Sequence, residues 1–151
     1  MVKELKVSAI ENGTVIDHIP SRNVFQVIKI LNLEHFDNQL LFGTNLESKK
    51  YGTKGIIKVK NRYFEKDEIN KIALAAPQAS LIVIKDFKVV EKYIVEIPDD
   101  ITGIVKCFNP NCVTNIEHGV VTRFKVISKD EVKLHCHYCE KNTVKSNIVF
   151  L

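Results

Sequence analysis

The chain has 151 residues, 45% of them hydrophobic and 26% charged, with a formal net charge of +4. That balance allows one ordinary domain or two small ones and excludes disorder over most of the length. No apolar run approaches the roughly 18 residues of a membrane-spanning helix, and so small a net charge makes no case for nucleic acid.

The first residues, Met1-Val2-Lys3-Glu4-Leu5-Lys6, include a carboxylate and lack the apolar core of a secretory signal, so the expected compartment is the cytoplasm. Charge is spread evenly: residues 1–98 hold 15 basic and 12 acidic side chains, residues 99–151 hold 7 and 6. The cysteines are not, since all four lie beyond residue 98. Glu96-Ile97-Pro98-Asp99-Asp100 is the expected boundary. Proline removes a backbone donor and restricts its predecessor, and aspartates favour turns. Two domains are therefore expected, 1–98 and 99–151.

In chain order, Leu5 to Ile10 alternates apolar and polar residues as a half-buried strand does, and Asn12-Gly13 breaks it. Ser21 is a candidate cap for a helix running to about Asn32, with Val24, Ile28 and Leu31 on one face. Gln39 to Leu46 and Gly55 to Lys60 read as strands joined by a polar loop, Ser48 to Gly52. Glu65 to Ala76 reads as a second helix with acidic residues at its start. Its apolar stripe is Ile69, Ile72, Ala73 and Ala76, and Pro77 stops it. Ser80 to Lys85 and Lys88 to Ile97 are Val/Ile-rich strands on either side of Asp86. The order β-α-β-β-α-β plus one strand predicts an α+β fold: a ferredoxin-like antiparallel sheet with both helices on one face. The second half shows no long helical pattern. It reads as a small all-β domain with strands at Gly103 to Lys106, Arg123 to Ser128, Val132 to His135 and Val144 to Phe150. A segment this short buries too little surface to stand without a staple.

The cysteines supply one. Cys107 and Cys112 are separated by four residues, Cys136 and Cys139 by two. Two such knuckles suit a tetrahedral four-thiolate Zn²⁺ site with no open position, which makes one structural ion per chain and not a catalytic one. Disulfides fit poorly with a reducing compartment. A redox Cys-x-x-Cys belongs at a helix start near a βαβ unit. His135 and His137 flank Cys136 but are expected to be exposed strand residues, because four thiols already complete the shell. A zinc-ribbon nucleic-acid-binding protein is the alternative of a different class. The absence of a basic cluster in the second half argues against DNA or RNA as a partner.

Residues 1–98 spell no catalytic motif. There is no phosphate-binding Gly-x-x-x-x-Gly-Lys and no Gly-x-Ser-x-Gly. Asp17-His18 alone lacks the convergent partners general base catalysis requires. Lys54, Lys58 and Lys92 are flexible point charges of the kind that meet phosphates, but the residues alone favour the simpler reading of a solvated sheet face.

Three stretches, Gly13-Thr14-Val15-Ile16-Asp17-His18-Ile19-Pro20, Ala73-Leu74-Ala75-Ala76-Pro77-Gln78-Ala79 and the Cys-x4-Cys…Cys-x2-Cys-Glu pattern ending at Glu140, together resemble the regulatory chains of aspartate carbamoyltransferase, in order and over nearly the whole length. The resemblance implies a non-catalytic subunit. Its first domain would bind CTP, ATP and possibly UTP and form a regulatory dimer, and its zinc domain would dock on the catalytic chain, in the service of pyrimidine synthesis. It further implies that Ala9, Ile10 and Val15 line the nucleotide pocket. Asp17 and Lys58 would meet the ribose and nearby polar groups. His18, Lys54 and Lys92 would lie near the phosphates or the base edge, and Ile84, Phe87 and Val89 would complete the base side. The chain departs from the family pattern at Ile82 and Phe87, where Asn and Tyr are usual, and at Glu4, where some members carry a Lys tied to a second, metal-bridged nucleotide.

Overall fold

A computed structural model describes residues 9–49 and 52–151. The chain forms two compact units, Met1–Glu96 and Ile97–Leu151. No helix among the described residues is long and apolar enough to cross a membrane.

The first unit is built on a five-stranded antiparallel sheet. Its strands are β1 (Gly13–Ile19), β2 (Leu40–Ser48), β3 (Gly52–Lys60), β4 (Ser80–Lys85) and β5 (Lys88–Ile94), in the spatial order β2-β3-β1-β4-β5. Removing β5 leaves the ferredoxin-like arrangement that the element order predicts. The first strand, however, is Gly13–Ile19, the stretch read above as following a break. Of the expected strand Leu5 to Ile10, residues 5–8 lie outside the described residues, and Ala9 and Ile10 carry no regular structure. β1 escapes the alternation test because both its faces are covered: Thr14, Val15 and Ile16 are consecutive and all buried. A central strand buried on both sides loses its period of two.

One face carries the helices. α1 (Val24–Ile30) follows a 3₁₀ turn at Ser21–Asn23, and α2 (Lys66–Ile69) runs into another at Asn70–Ile72. Val24, Val27, Ile69 and Ile72 are fully buried, as are Ile57, Ile16 and Leu81, which pair across β3, β1 and β4 beneath them. Contact is close enough that a Cβ on Gly55 would come within 2.1 Å of the Val24 Cγ2 atom. Ser21 does not cap α1. Its hydroxyl donates to Thr53 Oγ1 (3.3 Å) and accepts from the Asn45 N–H (3.2 Å), while its carbonyl accepts from Thr44 Oγ1 (2.8 Å). The second helix is shorter than its apolar stripe, although Ile69, Ile72, Ala73 and Ala76 are all buried as expected. Asn70 turns its Oδ1 to accept the Glu96 N–H at 3.0 Å, at the point where α-helix gives way to 3₁₀ turn.

The second unit contains a four-stranded antiparallel sheet, in the order β10 (Asn142–Val144), β9 (Lys133–Cys136), β8 (Arg123–Ser128), β6 (Asp100–Thr102). A two-stranded ladder joins β11 (Val149–Phe150) to β7 (Val105–Lys106). The strand expected at Gly103 to Lys106 is only Val105–Lys106; Gly103, at φ 69°, is a turn residue after β6, a strand that the boundary reading of Asp99-Asp100 did not foresee. A 3₁₀ turn at Lys145–Asn147 divides the other expected strand, Val144 to Phe150. A single short helix, α3 (Val113–Ile116), follows Cys112 and is too brief to leave a periodic signal. Val105, Leu134, Phe124 and Ile101 form the small core.

Candidate metal centre and effector face

The four cysteines converge. Cys107, Cys112 and Cys136 are buried, Cys139 is half-buried, and all four sulfurs lie within 4.8 Å of one another. The close pairs run between knuckles: Cys107 Sγ to Cys139 Sγ is 3.7 Å and Cys112 Sγ to Cys136 Sγ is 3.8 Å. These are not disulfides. A tetrahedron with arms of about 2.3 Å has edges of about 3.8 Å, so the donor set fits a four-thiolate metal ion.

The knuckles are held by amides that the spacing argument overlooked. Asn115 Nδ2 donates to the carbonyls of Cys107 (2.9 Å) and Asn109 (2.8 Å), and Asn109 Oδ1 accepts the Asn111 N–H (3.1 Å). Thr114 Oγ1 donates to Cys112 Sγ at 3.2 Å. The amide bonds fix the backbone of the first knuckle, and the hydroxyl donated to sulfur favours thiolate over thiol at Cys112.

Burial pushes the Cys107 and Cys136 thiols up from their ordinary range. Cys139 differs. Burial opposes its ionisation too, but the Lys141 N–H and contacts with Asn109, Cys107 and Cys136 bring it down to about 7. His135 and His137 stand outside the ligand cluster. His135 is half-buried on β9, its Nδ1 2.8 Å from Asn142 Oδ1. His137 is exposed in the knuckle turn beyond β9, edge-on to Tyr138. Neither is the exposed strand residue expected.

In the first unit, the sheet face opposite the helices carries several of the other expected site residues. Direct register partners share a face, and here Leu41, Lys58, Val15, Ile82 and Lys92 form one row across all five strands. The next row places Ile84 beside Val89. Ile10, Val15 and Ile84 are buried together, with Leu41, Ile56 and Ile82 packed against them. The result is an apolar floor with a lysine toward either side, their backbone positions about 14 Å apart at the usual strand spacing. Burial lowers the Lys58 ammonium from its ordinary value, and the Asp17 carboxylate partly restores it.

Asp17 is held at the other end of β1. Lys54 Nζ lies 2.9 Å from its Oδ1, which also accepts the His18 N–H at 2.7 Å. His18 takes a left-handed φ of 59°, and its Nδ1 sits 3.4 Å from Ser80 Oγ. His18 and Lys54 line a cavity of about 780 Å³ together with Arg22, Phe25, Thr44 and Asn45. Sequence reasoning did not connect those last four to a site, because they come from a helix start and a strand bulge that only the fold brings together. Phe87 is 67% exposed at the β4–β5 turn, Val89 is 61% exposed on β5, and Ala9 is exposed. The expected residues therefore divide into a buried floor, a charged end and an open rim.

Both units match known families. A family described as aspartate carbamoyltransferase regulatory chain, allosteric domain, matches residues 5–96, and one described as the same chain's metal binding domain matches residues 99–149. The chain belongs to the family of aspartate carbamoyltransferase regulatory chains. It is 55% identical to the member from Thermococcus sibiricus over 98% of this chain and 97% of that one. It is 48% identical to the member from Parabacteroides distasonis (97% and 95% covered) and 51% identical to the member from Pyrococcus abyssi (97% of each). A regulatory chain is by name a non-catalytic subunit, and no catalytic residue is assigned here. The allosteric match spans the sheet with its lysine row, and the metal-binding match spans all four cysteines.

Proposed function

We propose that this chain carries nucleoside triphosphate signals to the catalytic chain of aspartate carbamoyltransferase, in the pyrimidine pathway of the cytoplasm. The observation that carries the reading is the row Lys58–Val15–Ile82–Lys92 beside the Asp17–Lys54 pair. A nucleoside triphosphate needs an apolar slot for its base, a polar acceptor for ribose hydroxyls and several cations for its phosphates. Ile10, Ile84, Val89 and Phe87 suit the base, with Ala9 and Val15 beside it. Asp17 and Lys58 suit the ribose. Lys92, Lys54 and His18 suit the phosphates. CTP, ATP and UTP are the effectors proposed. Ile82 offers only apolar contact where the family usually carries an amide, so base discrimination here depends more on backbone groups.

The metal is proposed to be Zn²⁺, one per chain, held by Cys107, Cys112, Cys136 and Cys139. Four thiolates leave no exchangeable position, so its contribution is to folding. The metal unit is proposed as the plug that docks on the catalytic chain. The first unit is proposed to pair with a second copy. In support, β2 is an outer strand of the sheet with no second neighbour among the described residues, and on it Phe42 is 45% exposed, edge-on to the 64%-exposed Phe25 at 5.5 Å. An open edge flanked by aromatics is a surface that association covers.

An effector shifts a quaternary equilibrium only through its differential affinity for two states, typically by about 1–3 kcal/mol. The test is to combine the chain with its catalytic subunit and record aspartate saturation with and without CTP, UTP and ATP. A shift in half-saturation with at least one nucleotide is expected, and identical curves with all three would sink the reading.

A further inference from the structure

The β4–β5 connection is a two-residue turn, Asp86-Phe87, between the paired residues Lys85 and Lys88. Both residues have positive φ, 52° and 63°. This mirror-image turn matches strand twist, but its usual sequence is Asn-Gly, because a side chain with a Cβ is strained there. A phenylalanine in the second position is costly, and its ring is 67% exposed, so burial within the chain does not repay the strain. Strain of this kind persists only where the surroundings over-determine the conformation.

Among the described residues, the groups that accept the turn's own N–H donors belong to one short segment. Asn12 Oδ1 accepts the Asp86 N–H at 3.1 Å, and the Glu11 carbonyl accepts the Phe87 N–H at 2.9 Å. The Asn12 carbonyl in turn accepts the Asn61 N–H, at the end of β3, at 2.9 Å. Residue 12 therefore straps the hairpin tip to the far side of β1. It is followed by Gly13, where a Cβ would fall 2.1 Å from the Val59 carbonyl oxygen, so the strap lies flat on the sheet. Just before it, Ile10 is buried against Val15 and Ile84 in the apolar floor.

We infer that Asn12 is a positioning residue for the effector site: it locks the Asp86-Phe87 turn so that the Phe87 ring stands as a fixed wall beside the Ile84–Val89 row. Asn12 touches no ligand in this scheme. It acts through the turn, and the inference rests on the nucleotide reading above.

The experiment uses the full-length chain. In Asn12→Ala the Asp86 amide must exchange faster because its acceptor is gone, so the informative amide is that of Phe87, whose own acceptor is intact. Its hydrogen exchange is expected to quicken at least fivefold without ligand. Affinity for CTP is expected to fall about fivefold, and the CTP-to-ATP affinity ratio to change, with metal content untouched. Asp86→Gly added to Asn12→Ala relieves the first strained position and is expected to return CTP affinity to within twofold of the starting chain. Should Asn12→Ala fail to fold, Asn12→Ser, whose hydroxyl is too short to reach the Asp86 N–H, carries the same expectations. An unchanged Phe87 exchange rate, or an unchanged affinity ratio in a variant of a chain that does bind CTP, overturns the inference alone. A starting chain that binds no nucleotide overturns the effector-site reading and the inference together.

Discussion

Lys54 neutralises Asp17 across the end of the sheet: its ammonium lies 2.9 Å from one carboxylate oxygen and 3.1 Å from the other, with the side chains only 23% and 16% exposed. A pair so withdrawn from water is sensitive to losing one partner, because the survivor is left partly buried and uncompensated. Lys54→Ala is expected to cost about 1 kcal/mol of stability, with solvent screening keeping the loss well below that of a fully buried pair. If Lys54 also meets phosphate, the same variant should weaken triphosphate binding about tenfold while changing nucleoside binding less than twofold. Calorimetric titration with CTP and with cytidine separates the two effects, and equal losses for both would remove Lys54 from the phosphate end.

Proton linkage tests Lys58. Burial lowers its pKa in the ligand-free chain, and Asp17 only partly offsets this. An anionic ligand favours the charged ammonium, so the bound-state pKa lies above the free-state one. Binding must then take up protons in the interval between them, and affinity must fall as pH rises through the free-state value. The sign for folding differs. The unfolded chain binds this proton more readily, so the depressed pKa costs stability at lower pH, and that cost fades as pH climbs toward 10.5. Titrations with CTP in buffers of different ionisation enthalpy, carried out as a series below pH 10.5, should show net uptake. Lys58→Met should abolish it, and uptake that survives the substitution assigns the proton elsewhere.

The strand order of the first unit was legible because β2, β3, β4 and β5 carry their apolar residues in short runs bounded by turn residues. β1 was not, and the reason lies in its own residues. Thr14 is fully buried although polar, because its hydroxyl donates to the Arg62 carbonyl at 2.6 Å. Asp17 and His18 look like a turn until Lys54 and Ser80 are brought alongside. Local patterning cannot supply a partner 37 or 62 residues away. The cysteine cluster was the easiest part to read, since two cysteine pairs at short spacing already spell a four-thiol pattern. The proposed effector face was legible only as a resemblance: lysines at 54, 58 and 92 share no local pattern, and only register puts Lys58 and Lys92 in one row. Nothing in the sequence marked Asn12 as more than a strand breaker.

Two glycines test how tightly the sheet is packed. Gly55 lies under Val24, and Gly13 (φ 140°) lies against the Val59 backbone. Overpacking of this kind typically costs about 1–3 kcal/mol. Gly13→Ala is expected at or above the upper end, because a carbonyl oxygen cannot step aside as a side chain does. Both variants should lower the melting temperature of the first unit, by about 4–8 °C per kcal/mol for a domain of this size. Gly13→Ala should weaken CTP binding more than Gly55→Ala does, since it displaces the neighbouring Asn12 and the turn that Asn12 holds. Equal binding losses in the two variants would point to general destabilisation.

Removing the metal should separate the two units in their stability. The second unit has a small core, and its three most buried ligands, Cys107, Cys112 and Cys136, sit at the centre of the knuckles. Without the ion, Cys107 and Cys136 favour the protonated thiol. A metal-free cysteine cluster then replaces a coordinated centre, and the binding free energy that holds the unit together is lost. A thiol-reactive mercurial is expected to release one metal ion per chain, unfold residues 97–151 and detach the chain from its catalytic partner, while the first unit still melts cooperatively and still binds CTP. Cys112→Ser should act in the same direction, with metal content falling well below one ion per chain. Colorimetric metal release, followed in parallel with analytical ultracentrifugation of the complex, checks the order of events. A complex that stays assembled after all of its metal has been released would show that docking does not depend on the metal-held fold.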